Sequence, residues 1–167
     1  MSHIKLGLAA ASVVLAADQA SKVWILDGLD LPSLGSVAVL PFFSLTFVRN
    51  TGVTFGLLGG LGSAGSLILA LVALAVVVAL LLWLRRAENR LVAVALGAIA
   101  GGAIGNVIDR VRFGWVVDFL HAHAFGFSWY VFNVADAAIV CGVVALVLDS
   151  LRAKPSSPTL AAPGKQR

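Results

Sequence analysis

Long apolar runs separated by short charged stretches dominate this chain. Four segments, at residues 6–26, 67–84, 91–108 and 131–148, have the length and apolar character of a membrane span. A helix needs about 20 mostly apolar residues to cross a bilayer. The segment at 67–84 holds no charged residue, and Asn106 is the one polar side chain in the segment at 91–108. The pattern therefore predicts four transmembrane helices.

The first segment permits a second interpretation. Polar residues interrupt it between Asp18 and Lys22, and the stretch before them could be a cleavable signal peptide, with Lys5 as its charged start. However, the apolar pattern resumes at residues 23–26, and three further spans follow. The pattern favours a permanent helix over a leader.

The charged residues sort onto two sides of the predicted membrane. One side would hold eight basic residues against Glu88 and Asp149, and the other would hold four basic residues against six acids. Lysine and arginine in short loops mark the cytoplasmic side. This distribution places both termini and the loop at residues 85–90 in the cytoplasm, and the acidic side outside.

Two segments should lie on the outer side. In residues 27–65, Pro32 and Pro41 break any helix, and residues 44–49 alternate as a short strand does. Its aromatic residues predict a small β element on the membrane interface; they are Phe42, Phe43, Phe47 and Phe55. The segment at 109–130 is predicted to be a second outward loop, whose many aromatic residues suit the headgroup region.

Composition agrees with a membrane protein. The chain is 60% hydrophobic and 12% charged, whereas soluble domains have about 25% charged residues. The 167 residues suit one domain, at 1–152, followed by a tail at 153–167 that is predicted to be disordered and cytoplasmic. The net charge of +4 comes without a basic, aromatic-rich run, so no nucleic-acid partner is expected. The single cysteine, Cys141, is predicted to pack between helices.

Ionisable residues cluster toward the outward ends of the predicted helices. Each costs about 2.5–3.5 kcal/mol at the centre of a span, so such residues are paired, line a cavity or have a function. Asp18 and Lys22 are spaced to pair on one helix face. Gly97, Gly101 and Gly105 repeat every four residues, which predicts close packing against another helix.

Two acids, Asp118 and Asp136, suggest a specific chemistry. Two carboxyl groups in a partly dry site cannot both ionise, so they share a proton. The ionised member can accept a proton from water, while the protonated member polarises a carbonyl group. This is the chemistry of an aspartic protease, which needs no metal or cofactor. By spacing alone, Asp18 and Asp109 compete for the same role.

Other chemistries were also weighed. Asp118 could join His121 and His123 in a metal site, because alternate residues of a strand face one side. A nucleophilic serine lacks support, because no histidine or lysine partner is evident for the candidates, Ser63, Ser66 and Ser128. The acids could instead serve an ion- or proton-coupled transporter subunit. A non-enzymatic assembly protein would use the glycine ridge as its interface.

Five short motifs occur in an order that resembles the lipoprotein signal peptidase family, the type II signal peptidases of bacteria. They are Asp18-Gln19-x-x-Lys22, Asn50-x-Gly52-x-x-Phe55, Gly101-Gly102-x-x-Gly105-Asn106-x-x-Asp109-Arg110, Val116-Val117-Asp118-Phe119 and Phe132-Asn133-x-Ala135-Asp136. The chain departs from the family pattern at Val53 and Thr54, where small residues are usual, and at Tyr130, where proline often follows tryptophan.

The resemblance implies an all-α integral membrane protein of the bacterial inner membrane, with four transmembrane helices, a small extracytoplasmic β-cradle and a second extracytoplasmic loop. It implies an aspartic endopeptidase that cuts diacylglyceryl-modified prolipoproteins just before the lipidated cysteine, near the outer leaflet. Asp118 and Asp136 would be catalytic. Supporting and substrate-binding roles would fall to Asp18, Lys22, Asn50, Gly52, Asn106, Asp109, Arg110 and Asn133. The partners expected are these prolipoproteins and membrane lipids. The enzyme is expected to be a monomer and to need no metal.

Overall fold

The fold was obtained as a computed structural model, which describes residues 2–52 and 62–152. The predictions for the tail at 153–167 and for Phe55 lie outside the described residues. The elements, in chain order, are α1 (His3–Val23), a π-helical turn (Trp24–Gly28), α2 (Leu31–Leu34), β1 (Ser36–Leu40), β2 (Phe43–Asn50), α3 (Gly62–Leu84), α4 (Arg90–Phe113), β3 (Val116–Ala124), β4 (Phe127–Ser128) and α5 (Val134–Arg152).

Within residues 2–52 and 62–152, four helices are long and apolar enough to cross a membrane, namely α1 with its π-helical turn, α3, α4 and α5. They confirm the four predicted spans, although their bounds differ. The fourth span was predicted to begin at residue 131, whereas α5 begins at Val134. The reason is local: Phe132 forms a β-bridge with Leu120, so the chain is still extended just before the helix.

Helix α4 is the central helix of the bundle. In the most apolar 18-residue stretch of α4, 61% is buried inside the structure, whereas the corresponding stretches of the other three helices are 11–17% buried. The predicted glycine ridge explains how α1 approaches so closely. A Cβ atom at Gly97 would overlap the backbone carbonyl of Gly7, and one at Gly101 would overlap that of Ala11. Gly102 faces α5 in the same way, against the carbonyl of Ala135. The ridge prediction is confirmed.

The described parts of the outward segments form one four-stranded antiparallel sheet, in the order β1-β2-β3-β4. This confirms the predicted strand at 44–49 and corrects two other expectations. The fold is not all-α, and the segment after α4 is not a second loop, because it supplies β3 and β4. A bulge in β2 between Leu45 and Val48 shifts the register beside Asp118. Bulges commonly re-aim side chains next to functional sites.

A small apolar core packs the sheet against the π-helical turn at the outward end of α1 and against α2. Ile25 from the π-helical turn packs with Leu31 of α2 and with Val117 and Phe119 of β3, and all four side chains are buried. Val117 and Phe119 flank Asp118 and point to the opposite face of the strand. Burial of these two side chains therefore turns the carboxyl group of Asp118 toward the helix bundle.

Cys141 is exposed on the surface of α5. The prediction that it packs between helices is wrong. Gly142, its neighbour, takes the packed position instead, where a Cβ atom would lie 2.6 Å from Ile99 Cγ1. Cys141 therefore lies on the face of α5 that is turned away from α4.

Candidate active site

Asp118 is held at the start of β3 with only 1% of its surface exposed. Asn50, the last residue of β2, donates from Nδ2 to Asp118 Oδ2 at 2.8 Å. Asn133 donates from Nδ2 to the other carboxyl oxygen, Oδ1, at 2.7 Å. Both oxygens of the acid are thus engaged by side-chain amides that come from 68 and 15 residues away in sequence.

Asp136 lies in the first turn of α5 and shares a reciprocal cap with Asn133. Asn133 Oδ1 accepts from the backbone N–H of Asp136 at 2.9 Å, and Asp136 Oδ2 accepts from the backbone N–H of Asn133 at 3.3 Å. This is a capping box built from asparagine and aspartate. The positive end of the helix dipole also favours a negative charge on Asp136.

The cap corrects the predicted position of Asp136. A helix that began at residue 131, where the apolar segment starts, would place Asp136 one to two turns inside it. It is instead the third residue of α5, about 3 Å along the axis from Val134 at 1.5 Å per residue. Asn133 lies before the helix rather than on its face. The acid therefore lies at the mouth of the bundle, half-buried.

Asn133 brings the two acids together. Its side chain donates to Asp118, and its backbone N–H donates to Asp136. Asn106 of α4 completes the link, because its Nδ2 donates to Asp136 Oδ1 at 2.8 Å and its Oδ1 accepts from Asn133 Nδ2 at 3.2 Å. The structure thus places Asp118, Asp136, Asn50, Asn106 and Asn133 in one hydrogen-bonded cluster.

The surroundings of Asp118 favour its protonated form. Burial raises its pKa from the ordinary value of 3.8 to about 6, and the negative charge of Asp136 acts in the same direction. The hydrogen bonds from Asn50 and Asn133 oppose this rise in pKa, because they stabilise the ionised carboxylate. Asp118 can therefore hold a proton at a pH at which an ordinary aspartate would already have lost it.

Beneath the acid pair lies a buried ionic cluster centred on Lys22. Its Nζ lies 2.8 Å from Asp18 Oδ2 and 2.8 Å from Asp109 Oδ2, and it donates to Asn106 Oδ1 at 3.2 Å. The side chains of Lys22, Asp18 and Asp109 are between 0% and 3% exposed. The predicted pair of Asp18 and Lys22 is confirmed. Asp109, however, pairs with Lys22, and the described residues show no ion pair between Asp109 and Arg110.

The ionic cluster is tied to both elements that carry the acid pair. Asp18 Oδ1 accepts from the backbone N–H of Ala135, in the first turn of α5, at 3.0 Å. Asp109 Oδ2 accepts from the backbone N–H of Val117, next to Asp118, at 3.1 Å. Asp18 and Asp109 thus share the one ammonium group of Lys22 and tie α5 and β3 to it.

Gln19 is a member of this cluster that was not predicted as a site residue. Its Nε2 lies within hydrogen-bond distance of Asp18 Oδ2 at 3.2 Å and Asp109 Oδ1 at 3.1 Å. It also reaches the backbone oxygen of Gly105 at 3.3 Å. The sequence feature that could have identified Gln19 is an amide side chain inside an apolar span and next to an acid.

Gly52 and Arg110 line the edge of the site. Gly52 has a φ of +84°, which favours glycine, and its N–H donates to Asn50 Oδ1 at 2.8 Å. A Cβ atom at Gly52 would overlap Leu69 and lie 3.5 Å from Arg110 Nη2. Arg110 Nη1 donates to the carbonyl of Asn106 at 3.3 Å, while its buried Nε has no partner among the described residues. This leaves a donor beside the acid pair.

The structure does not bring Asp118, His121 and His123 together. Successive strand residues face opposite sides, so the two histidines lie on the face of β3 opposite Asp118. His121 contacts Thr46 at 3.1 Å and Ser128 at 2.6 Å. The second contact corrects the view that Ser128 lacks a histidine partner. The imidazole is oriented by a threonine hydroxyl and not by an acid, unlike the acid-oriented base of a serine hydrolase.

Comparison with known proteins places this geometry in a family. A sequence model of the peptidase family described as signal peptidase (SPase) II matches residues 10–152. A protein of Methylorubrum extorquens named lipoprotein signal peptidase is 52% identical over 159 residues, which cover 95% of this chain and 93% of the relative. A protein of the same name from Rhodopseudomonas palustris is 45% identical and covers 94% of this chain and 98% of its own.

Two solved structures have a similar fold. Both are described as bacterial membrane enzymes determined by the in meso method. One, at 1.9 Å resolution, is 30% identical with a TM-score of 0.78 and covers 90% of this chain and 96% of its own. The other, at 2.3 Å resolution, is 29% identical with a TM-score of 0.76, over 92% and 96% of the two chains.

Proposed function

Because this chain belongs to the signal peptidase II family, we propose that it cuts diacylglyceryl-modified prolipoproteins just before the lipidated cysteine, with Asp118 and Asp136 as the catalytic pair. The observation that carries this proposal is the position of Asn133, which donates to both acids at the mouth of the helix bundle. The two carboxyl groups are held by one residue, and the charge of Asp136 raises the pKa of Asp118. Such a pair can share one proton, which is the arrangement that aspartic-protease chemistry requires.

In the proposed mechanism, Asp136 is the base and Asp118 is the acid. Asp136 accepts a proton from a water molecule, whose oxygen then attacks the scissile carbonyl carbon. Asp118 donates its proton to the carbonyl oxygen, which gives a neutral gem-diol. Asp136 returns its proton to the amide nitrogen, the C–N bond breaks, and Asp118 recovers a proton from the diol. The products are a carboxylic acid and an amine, and no covalent enzyme intermediate forms.

The remaining predicted site residues would position this pair. Asn50 and Asn133 hold the carboxyl group of Asp118, and Asn106 holds that of Asp136. Lys22, Asp18 and Asp109 fix the two elements that carry the acids. Arg110 and Gly52 lie beside the cluster, and the Nε–H of Arg110, which has no partner among the described residues, is suited to donate a hydrogen bond to a carbonyl oxygen of the bound peptide.

The position of the pair suits a lipid-anchored substrate. Asp136 lies in the first turn of a membrane-spanning helix, so a peptide bond next to a lipidated residue would reach it at the membrane surface. We place this mouth at the outer leaflet of the bacterial inner membrane and both termini in the cytoplasm, because lysine and arginine concentrate in the stretches at the opposite end. The working unit would be a monomer.

The substrate claim is tested by cleavage of three matched prolipoproteins by the purified wild-type chain. The first carries the diacylglyceryl-modified cysteine, the second has the same cysteine unmodified, and the third has serine in its place. We expect cleavage of the first alone, before the modified residue, as read by gel shift and by mass of the product. Equal cleavage of all three would contradict recognition of the lipidated cysteine.

A further inference from the structure

The end of the sheet farthest from the acid pair exposes an unusual number of large apolar side chains. Seven of them are between 47% and 101% exposed, namely Val39, Leu40, Phe42, Phe125, Phe127, Trp129 and Tyr130. We call these seven residues the apolar end of the sheet. Contiguous exposed apolar surface of this kind marks a site of interaction with a protein or a membrane.

The apolar end of the sheet encloses a groove. The turn between β1 and β2 lies beside the hairpin of β3 and β4, because the backbone N–H of His123 donates to the carbonyl of Phe42 at 3.0 Å. Between the two turns is a cavity of about 990 Å³, lined by Pro41 and Phe42 on one side and by residues 122–125 and 127–130 on the other. Sites for small apolar ligands have volumes of about 300–1,000 Å³.

This part of the chain carries no charge. Residues 31–48 and 119–135 contain no aspartate, glutamate, lysine or arginine. Sheet edges that face water are usually protected by charged side chains, lysine above all. The outward ends of α1 and α4 do expose charges, at Asp27 and Arg112. The lack of these charged residues is therefore a property of the apolar end of the sheet and not of the whole outward side.

The hairpin tip holds an aromatic residue in a strained conformation. Phe125 has a φ of +51° and Gly126 a φ of +82°, so both central residues of this two-residue turn are left-handed. Asparagine followed by glycine is preferred in such a turn. Phe125 is fully exposed, so no contact within the described residues compensates for its conformation. Strain of this kind is typical of functional positions.

We propose that the apolar end of the sheet inserts into the membrane interface, with an acyl chain of a bilayer lipid in its groove. A lipid is the occupant that fits because the patch continues the membrane-facing surface of α5. Tyr130 lies four residues before the start of α5, which exposes a further row of aliphatic side chains, namely Val140, Val143, Val144, Val147, Leu148 and Leu151. Tryptophan and tyrosine also prefer the interface.

The insertion would hold the acid pair at a fixed depth. From Asp118 to Phe125, β3 advances seven residues, or about 23 Å at 3.3 Å per residue. Strand β3 would thus connect Asp118, near its first residue, to a hairpin tip that lies in lipid. This inference depends on the membrane placement of the helices and not on the peptidase chemistry.

The proposal is tested with an environment-sensitive fluorophore attached to Phe125→Cys in a Cys141→Ala background, in lipid nanodiscs. Two labelled positions serve as references. The native Cys141 is exposed on α5 and should report lipid, and Glu88→Cys is exposed in the turn between α3 and α4 and should report water. The measurement is quenching by lipids with brominated acyl chains and, separately, by iodide in the buffer.

We expect the label at Phe125→Cys to be quenched by brominated lipid at least half as strongly as the label at Cys141, and to be protected from iodide. Quenching by iodide to the level of Glu88→Cys would overturn the proposal. Protection from both quenchers would also overturn it, since that result means that protein, such as a second copy of the chain, covers the groove. None of these readings depends on peptidase activity.

A second variant separates membrane contact from packing. Asparagine suits the left-handed position, so Phe125→Asn should unfold in detergent at the same temperature as the wild type or higher. A clearly lower unfolding temperature would show that Phe125 stabilises the protein internally, which would contradict its assignment as a lipid contact.

Discussion

At the scale of single residues, the acid pair depends on opposing influences on Asp118. Burial and the charge of Asp136 favour its protonated form, while the amide groups of Asn50 and Asn133 favour its ionised form. The balance gives a pKa of about 6. If protonated Asp118 is the acid of the mechanism, kcat/KM should fall as the pH rises through about 6, because that profile reports the free enzyme.

Replacing Asn50 should shift the pH at which kcat/KM falls. Asn50→Ala removes a hydrogen bond that lowers the pKa of Asp118, so the pKa rises and the fall in kcat/KM shifts to higher pH. The measurement is kcat/KM for prolipoprotein cleavage from pH 5 to pH 9. Thr46→Val is the matched control, since Thr46 lies on the same strand and contacts His121 instead. If the fall in kcat/KM shifts to lower pH, or shifts equally in both variants, Asp118 is not the acid that it reports.

At the scale of elements, the Lys22 cluster joins α1 and α4 to the elements that carry the acids. Lys22→Met leaves Asp18 and Asp109 buried without their cation. Removing one partner of a buried ion pair typically costs about 3–5 kcal/mol of the free energy of unfolding. Unfolding in mixed micelles measures this cost, and Lys5→Met, on the exposed end of α1, should change little. A Lys22→Met protein as stable as the wild type would refute a structural role for the cluster.

The glycine ridge sets the distance between α1 and α4. In Gly97→Ala, the new methyl group would overlap the carbonyl of Gly7, so the helices must separate. Overpacking of this kind costs about 1–3 kcal/mol. Val94→Ala, on the exposed face of α4, should stay within about 0.5 kcal/mol of the wild type. The same unfolding assay decides the point, and equal stability of the two variants would show that the contact is not tight.

The elements also show what the sequence can and cannot predict. Helix α3 was evident, because an uncharged apolar run needs no knowledge of tertiary contacts. The apolar pattern predicts the start of α5 three residues early, because Val131 and Phe132 are apolar, whereas Phe132 forms a β-bridge with Leu120 of β3. The sequence predicts a loop after α4, because the partner strand β2 is about 70 residues away in sequence and no local pattern shows the pairing. Long-range pairing, and not local propensity, decided both cases.

At the scale of the whole molecule, the site is assembled from distant parts of the chain. Most polar residues of the five motifs converge at one end of the bundle, as the hydrogen bonds among Asn50, Asn106, Asp118, Asn133 and Asp136 show, and the motifs predict which residues these are. Their geometry was not predictable from the sequence. Asn50 and Asp118 meet because β2 pairs with β3, and no local sequence pattern indicates the bulge in that pairing. Gln19 was missed for a similar reason, since its partner Asp109 lies on another helix.

The whole account rests on the claim that Asp118 and Asp136 act as one catalytic pair. The measurement that tests it most directly is the cleavage rate of a diacylglyceryl-modified prolipoprotein by wild type, Asp118→Asn and Asp136→Asn, with a metal chelator in one wild-type sample. Asp27→Asn is the matched control, because it changes an exposed acid at the same end of the bundle.

We predict that cleavage by the wild type persists with the chelator, that Asp27→Asn retains it, and that each variant of the pair loses at least about 10³-fold in rate, by analogy with other catalytic groups that act as a unit. The two losses should be similar, because neither acid works alone. A folded Asp118→Asn or Asp136→Asn protein that still cuts at close to the wild-type rate would contradict the pair, and a folded wild type that cuts nothing would return the transporter hypothesis to consideration.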